Sequence, residues 1–301
     1  MFRSHKSPQA DVGRHAFVAV AALIVPLAFA SPALATEHHP TGNYAPFADC
    51  PLSNPSVEQC IVAETTSGEF TVGKKTVPIH KPIILQGGTS ENRETGELTF
   101  VAAEDGHTLS KTALTVPGGL FGIKAPESWS KEMKEAFEEM INRGLTGVTE
   151  TAELAKPASA IKLNTSNLIF ETGLALQLPL KIKLDNVFLG SKCYVGSESN
   201  PVLLNLTTGT TSPPEPNKPI KGSAGKLEIL EEGALLRLIG GSLVDNAFAA
   251  PEATGCGGSF SKLVDPLVDA AFGVPAAAGH NTAVLTGKLE QAYAPAVKAS
   301  E

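Results

Sequence analysis

The chain has 301 residues and a formal net charge of −7, with 24 Lys and Arg against 31 Asp and Glu. An acidic chain whose longest basic cluster is Lys74-Lys75 excludes electrostatic capture of nucleic acid or anionic lipid headgroups. With one Trp and three Tyr it also lacks the ring platform a carbohydrate-binding protein uses.

Residues 1–35 read as a secretory signal. Arg3, Lys6 and Arg14 give a basic start, Ala16–Ala30 is an apolar run, and Ala33-Leu34-Ala35 is a small-x-small cleavage site. The run is shorter than the roughly 20 residues of a membrane helix and contains Pro26. Cleavage would remove three basic residues and Asp11, taking the net charge from −7 to −9 and leaving no transmembrane segment. Residues 36–46 read as a flexible lead-in, 47–295 as one mainly β domain, and 296–301 as a tail.

Within that domain, short β-like runs come first: "CIVAETT", "EFTVG", "TVPI", "PIILQGG" and "ELTFVAA". "GEFTVGKKTVPI" reads as a hairpin turning at Gly73-Lys74, and 86–97 as a loop. A helix over about 129–143 follows, with Trp129, Met133, Ala136, Phe137, Met140 and Ile141 on one stripe. Ser128 or Ser130 can cap it and Gly144 can end it, and the stripe is expected to face the core. Strand-like segments resume at Gly147–Leu154 and Ala160–Leu163.

"LALQLPLKIKLD", 174–185, then alternates without a break, with Leu174, Leu176, Leu178, Leu180, Ile182 and Leu184 on one parity. Burying such side chains stabilises by about 2 kcal/mol each as an upper figure, so the row cannot stay wet. Pro179 has no N–H for a ladder, and Lys181 and Lys183 lie on the other parity, which together suggest an edge strand or a bulge. The row faces a filled core, an enclosed apolar ligand or a membrane barrel; a barrel needs many such segments, and the chain has one.

"PVLLNLTTG" is a further strand, and 210–225 a Pro- and Gly-rich surface loop. "KLEILEEGALLRLIGGSLVDNAFAA" is two strands, or a strand and a helix. A short helix over about 261–272 stops at Gly273, and "NTAVLTGKLEQA" is the last strand. The expected fold is therefore mainly β (α+β): antiparallel sheets, sandwich-like or curved, with one clear and one short helix.

The stretches "FADCPLSNPSVEQCIVAETTSGEFTVGKKTVPI" and "GCGG…LVD…GHNTAVLTGKLE" resemble pieces of uncharacterised secreted proteins of actinobacteria. That resemblance implies export and brings no activity, cofactor or catalytic residue.

Four cysteines in an oxidising destination read as two disulfides, and of three pairings the expected one is Cys50–Cys60 with Cys193–Cys256. A zinc site would want C-x-x-C spacing and nearby histidines, which these four lack. No hydrolase elbow, zincin, P-loop or dinucleotide motif occurs. Ser259, Asp265 and His280 can be drawn as a triad but are common residue types, and Asp265 and Asp269, one helical turn apart, read as solvated surface. After cleavage at Ala35 the new terminus Thr36-Glu37-His38-His39 would offer an amine, two amide nitrogens and the His38 imidazole, with His39 assisting, a donor set that suits Cu(II) or Ni(II). His80 and His107 stand alone. No cofactor is implied.

Three functions fit this reading. The first is a secreted or cell-surface structural or interaction protein without catalytic activity, meeting an extracellular partner. The second is a carrier of a lipid or other apolar small molecule, in a cavity lined by 174–184. The third is a hydrolase with an unrecognised site.

Overall fold

A computed structural model describes residues 39–91 and 98–301. The signal segment 1–35, residues 36–38 and the second half of the expected 86–97 loop, 92–97, lie outside the described residues; its first half, 86–91, is strand and not loop, being the end of the third strand.

After a 3₁₀ turn at Gly42–Phe47 come β1 (Gln59–Val72), β2 (Lys75–Pro78), β3 (Ile83–Glu91), β4 (Leu98–Ala102) and β5 (Ala113–Thr115). Helix α1 (Lys131–Arg143), β6 (Thr149–Leu154), β7 (Lys162–Leu163), α2 (Thr165–Phe170) and β8 (Leu176–Asp185) follow. The chain continues through β9 (Tyr194–Val195), β10 (Val202–Leu206), β11 (Lys226–Leu230), β12 (Leu235–Asp245) and β13 (Ala253–Thr254). It ends with α3 (Ser261–Phe272), β14 (Thr282–Tyr293) and α4 (Ala294–Ala299).

The strands make two antiparallel sheets. The first runs β11-β12-β14-β1-β3-β4, with β2 also on β1; the second runs β13-β9-β8-β6-β5, with β7 and β10 also on β8. The expected mainly β, sandwich-like class is therefore the observed one. "CIVAETT" and "EFTVG" are one strand, β1, bent by a bulge between Thr65 and Ser67. Val72 pairs with Lys75, which leaves Gly73-Lys74 as the two-residue turn read from the sequence. Gly73 has φ +55°, and a Cβ there would collide with the carbonyl oxygens of Phe272 and Gly273, so both the turn and its seat on α3 require glycine.

Facing residues of the two sheets, among them Ile61, Leu85, Leu178, Leu180, Ile182 and Leu204, form one shared core. A second cluster lies against β1, β12 and β14, with Cys60, Val62, Leu235 and Ala292 beneath Phe47, Ala294 and Val297. Of the free lead-in and tail expected at 36–46 and 296–301, residues 41–46 and 296–300 are instead held against the first sheet. The Thr41 N–H and Oγ1 both donate to the Ser300 carbonyl, at 3.2 and 2.7 Å, and α4 covers the first sheet. The physical reason is that Val62 and Leu235 face away from the inter-sheet core and need a cover of their own.

The disulfides are Cys50–Cys60 and Cys193–Cys256, separated by 10 and 63 residues. Loop-closure entropy assigns them about 3 and about 4 kcal/mol respectively. The first ties the N-terminal segment to β1; the second ties the end of β8's hairpin region to the start of α3.

Three expectations are corrected here. β8 is a central strand, not an edge: β10 and β9 pair along one side, β7 and β6 along the other. Pro179 is tolerated because its C=O, which points the same way as its absent N–H, accepts from Ala155 just beyond the end of β6. Lys181 and Lys183 guard no edge; Lys181 pairs with Glu153 at 3.5 Å over the Tyr194 ring, and Lys183 pairs with Asp185 at 2.8 Å.

Helix α1 is capped by Ser130 and ends at Gly144 as expected, but none of its residues is buried. Met133 and Met140 are exposed, and Trp129 packs edge-on against Phe137 of the same stripe. The helix that fills the inter-sheet core is α3, through Val268 and Phe272, and not α1. Lastly, Asp265 and Asp269 are not solvated surface: they accept the backbone N–H of Cys256 and Ala253, each at 2.7 Å, and so fasten α3 to the disulfide segment.

Candidate functional site

The cavity of interest lies between the sheets. The period-2 pattern of β8 puts Leu176, Leu178, Leu180 and Ile182 on its inner face. Register carries the same face onto its neighbours. Leu178 sits opposite Leu204 of β10, and Leu180, Ile182 and Leu184 sit opposite Leu154, Ala152 and Glu150 of β6. Across from them, the first sheet contributes Ala63, Phe70, Leu85, Leu243 and Leu285.

Between these walls lies an apolar cavity of about 90 Å³. Its cause is local: Ala63 and Ala152 present methyl groups where their neighbours present leucines, and the β1 bulge at Thr65 interrupts regular packing. A smaller cavity of about 40 Å³ shares Ala63, Thr65, Leu243 and Leu285 with it and reaches toward Leu168 of α2.

Of the six expected ligand positions, Leu176, Leu178, Leu180 and Ile182 line the cavity. Leu184 is fully buried in the core beyond it. Leu174 is half-buried and precedes β8, where the parity breaks: Ala175 takes the buried place, and the Leu174 carbonyl accepts from the Asn167 side chain.

Glu150 was missed as a site residue. It is 7 % exposed, lines the cavity, and has no hydrogen bond or ion pair among the described residues. Burial alone pushes its carboxyl up to about 8, so at neutral pH it is a neutral acid. The signal was present: Val148, Glu150, Ala152 and Leu154 share one parity, with the acid among apolar side chains.

The remaining candidates do not converge. Asp265 is committed to the Cys256 N–H, Ser259 lies in a 3₁₀ turn before α3, and His280 is exposed; no hydrogen bond joins the three. His38 is outside the described residues, and His39 is exposed. Among the described residues no group of three or more His, Cys, Asp or Glu is placed to hold a metal ion, and no helix is long and apolar enough to cross a membrane. His80 and His107 are exposed.

A patch of exposed apolar side chains lies around α1. The Gly118 N–H donates to the Asn142 side chain and the Leu120 N–H to the Thr146 carbonyl, which brings Phe121 and Ile123 to the end of the helix. Asn186 donates to the Leu145 carbonyl, which adds Val187 and Phe188. Compared with family models, with curated proteins and with solved structures, the chain matches none.

Proposed function

We propose that this chain is an exported carrier that holds an apolar ligand between its two sheets. The observation that carries the reading is that the alternating row of β8 borders open space, not only opposing side chains. Large aliphatic walls with few polar groups, here Thr65, Thr112 and Glu150, are what such a ligand selects. The two disulfides are compatible with an extracellular location, in keeping with the signal-like start and the resemblance to secreted actinobacterial proteins.

Native mass spectrometry of the secreted protein tests the reading: a co-purified apolar molecule is expected. Leu176→Trp, which fills the cavity, should release it. A ligand retained by the folded Leu176→Trp variant overturns the assignment of the site.

The second reading, a cell-surface interaction role, is favoured by the exposed apolar patch around α1. It expects Phe121→Glu with Met140→Glu to abolish co-sedimentation with a cell-envelope preparation while leaving ligand content unchanged. Unchanged sedimentation rejects it.

A further inference from the structure

Glu150 has no structural use that its surroundings reveal. Its strand neighbours are Leu114 on β5 and Leu184 on β8, and it is the sole titratable side chain lining the cavity among the described residues. The nearby cations point elsewhere. Lys75 donates to the Gly119 and Leu120 carbonyls at 2.8 and 3.1 Å, and Lys181 and Lys183 face the opposite side of β8. A carboxyl left unpaired in an apolar interior is destabilising, and an apolar residue of similar size would relieve it. The cost is offset when a bound molecule brings the missing partner.

We propose that Glu150 is the polar recognition element of the cavity, donating its carboxyl hydrogen to one uncharged oxygen acceptor (a hydroxyl, ketone or ester) on an otherwise apolar ligand. The proposal rests on the carrier reading and narrows its ligand class. Anionic amphiphiles are disfavoured, because a carboxylate head would sit beside Glu150 with no cation lining the wall. Cationic heads are disfavoured too, because they require Glu150 to ionise inside an apolar cavity. An uncharged oxygen asks for neither.

The test uses three six-carbon probes, hexane, 2-hexanone and hexanoate, titrated into protein carrying ¹³C-labelled leucine methyls. The ketone accepts hydrogen bonds and donates none, so ionised Glu150 offers it no bond. At pH 7, 2-hexanone should bind at least tenfold more tightly than hexanoate. Glu150→Leu should weaken 2-hexanone about tenfold, the worth of one hydrogen bond, without weakening hexane. With Glu150 titrating at about 8, 2-hexanone affinity should fall about tenfold between pH 7 and pH 9. Glu150→Gln keeps a neutral donor, so it should bind 2-hexanone with no pH dependence; it also serves if the leucine variant does not fold. If hexane shifts the Leu176, Leu178 and Leu180 methyls but 2-hexanone affinity ignores both pH and Glu150→Leu, the role of Glu150 is overturned and the carrier reading stands. If none of the three probes shifts those methyls, the carrier reading itself falls.

Discussion

Behind the first sheet, Leu235 is fully buried with Phe47 and Val297 of the Gly42–Phe47 turn and α4 that cover it, and the Cys50–Cys60 bridge holds that cover in place. In front of the same sheet, leucines from both sheets leave about 90 Å³ unfilled and enclose an unpaired acid. Both interiors are apolar and both use β1, whose alternate residues feed one or the other: Cys60 and Val62 behind, Ile61 and Ala63 in front. The difference teaches where stability and binding separate. A filled interior gives dispersion contacts on every side of each group, while a cavity wall forgoes part of them.

Several substitutions break or sharpen that contrast. Leu178→Asp adds a second unpartnered carboxyl to the front interior and should cost about 5 kcal/mol, comparable to the stability of a whole domain, seen as loss of the folded baseline in urea titration. Phe47→Ala, in the filled cluster, should cost about 3–5 kcal/mol in the same titration. Leu176→Ala removes a wall of an existing cavity and should sit near 2 kcal/mol, the low end for such truncations, while lowering ligand affinity. A larger loss for Leu176→Ala than for Phe47→Ala would erase the distinction between the two interiors.

Acidity gives an independent check. The Glu150 carboxyl is raised from 4.5 to about 8 in the folded protein. Between these values the unfolded chain has released the proton that the folded chain retains, so stability falls as pH rises through this window. The fall should amount to a few kcal/mol. Melting curves at pH 5 and pH 8 should therefore differ less in Glu150→Gln than in the parent; an equal difference in both would mean that the acid is solvated or paired. The smallest effect belongs to Gln177→Asp, on the outer face of β8 beside Asn205, which should cost well under 1 kcal/mol in a thermal melt. Equal tolerance of Gln177→Asp and Leu178→Asp would contradict the assignment of faces.

The sequence by itself determined much of this protein. Alternation placed β8 and its buried face, the two-residue turn at Gly73-Lys74 fixed the first hairpin, and Ser130, Gly144 and Gly273 bounded two helices; the disulfide pairing was also read correctly. These are local signals, carried by side-chain period, caps and short loops. Tertiary structure decided what depends on which strands become neighbours. Whether Pro179 lies at an edge, whether the α1 stripe finds a partner, and whether residues 41–46 and 296–300 are free are answered only by pairing across long sequence separations. So is the cavity: Ala63 and Ala152 lie 89 positions apart, and only when β1 and β6 face one another do two small side chains leave a space beside Glu150.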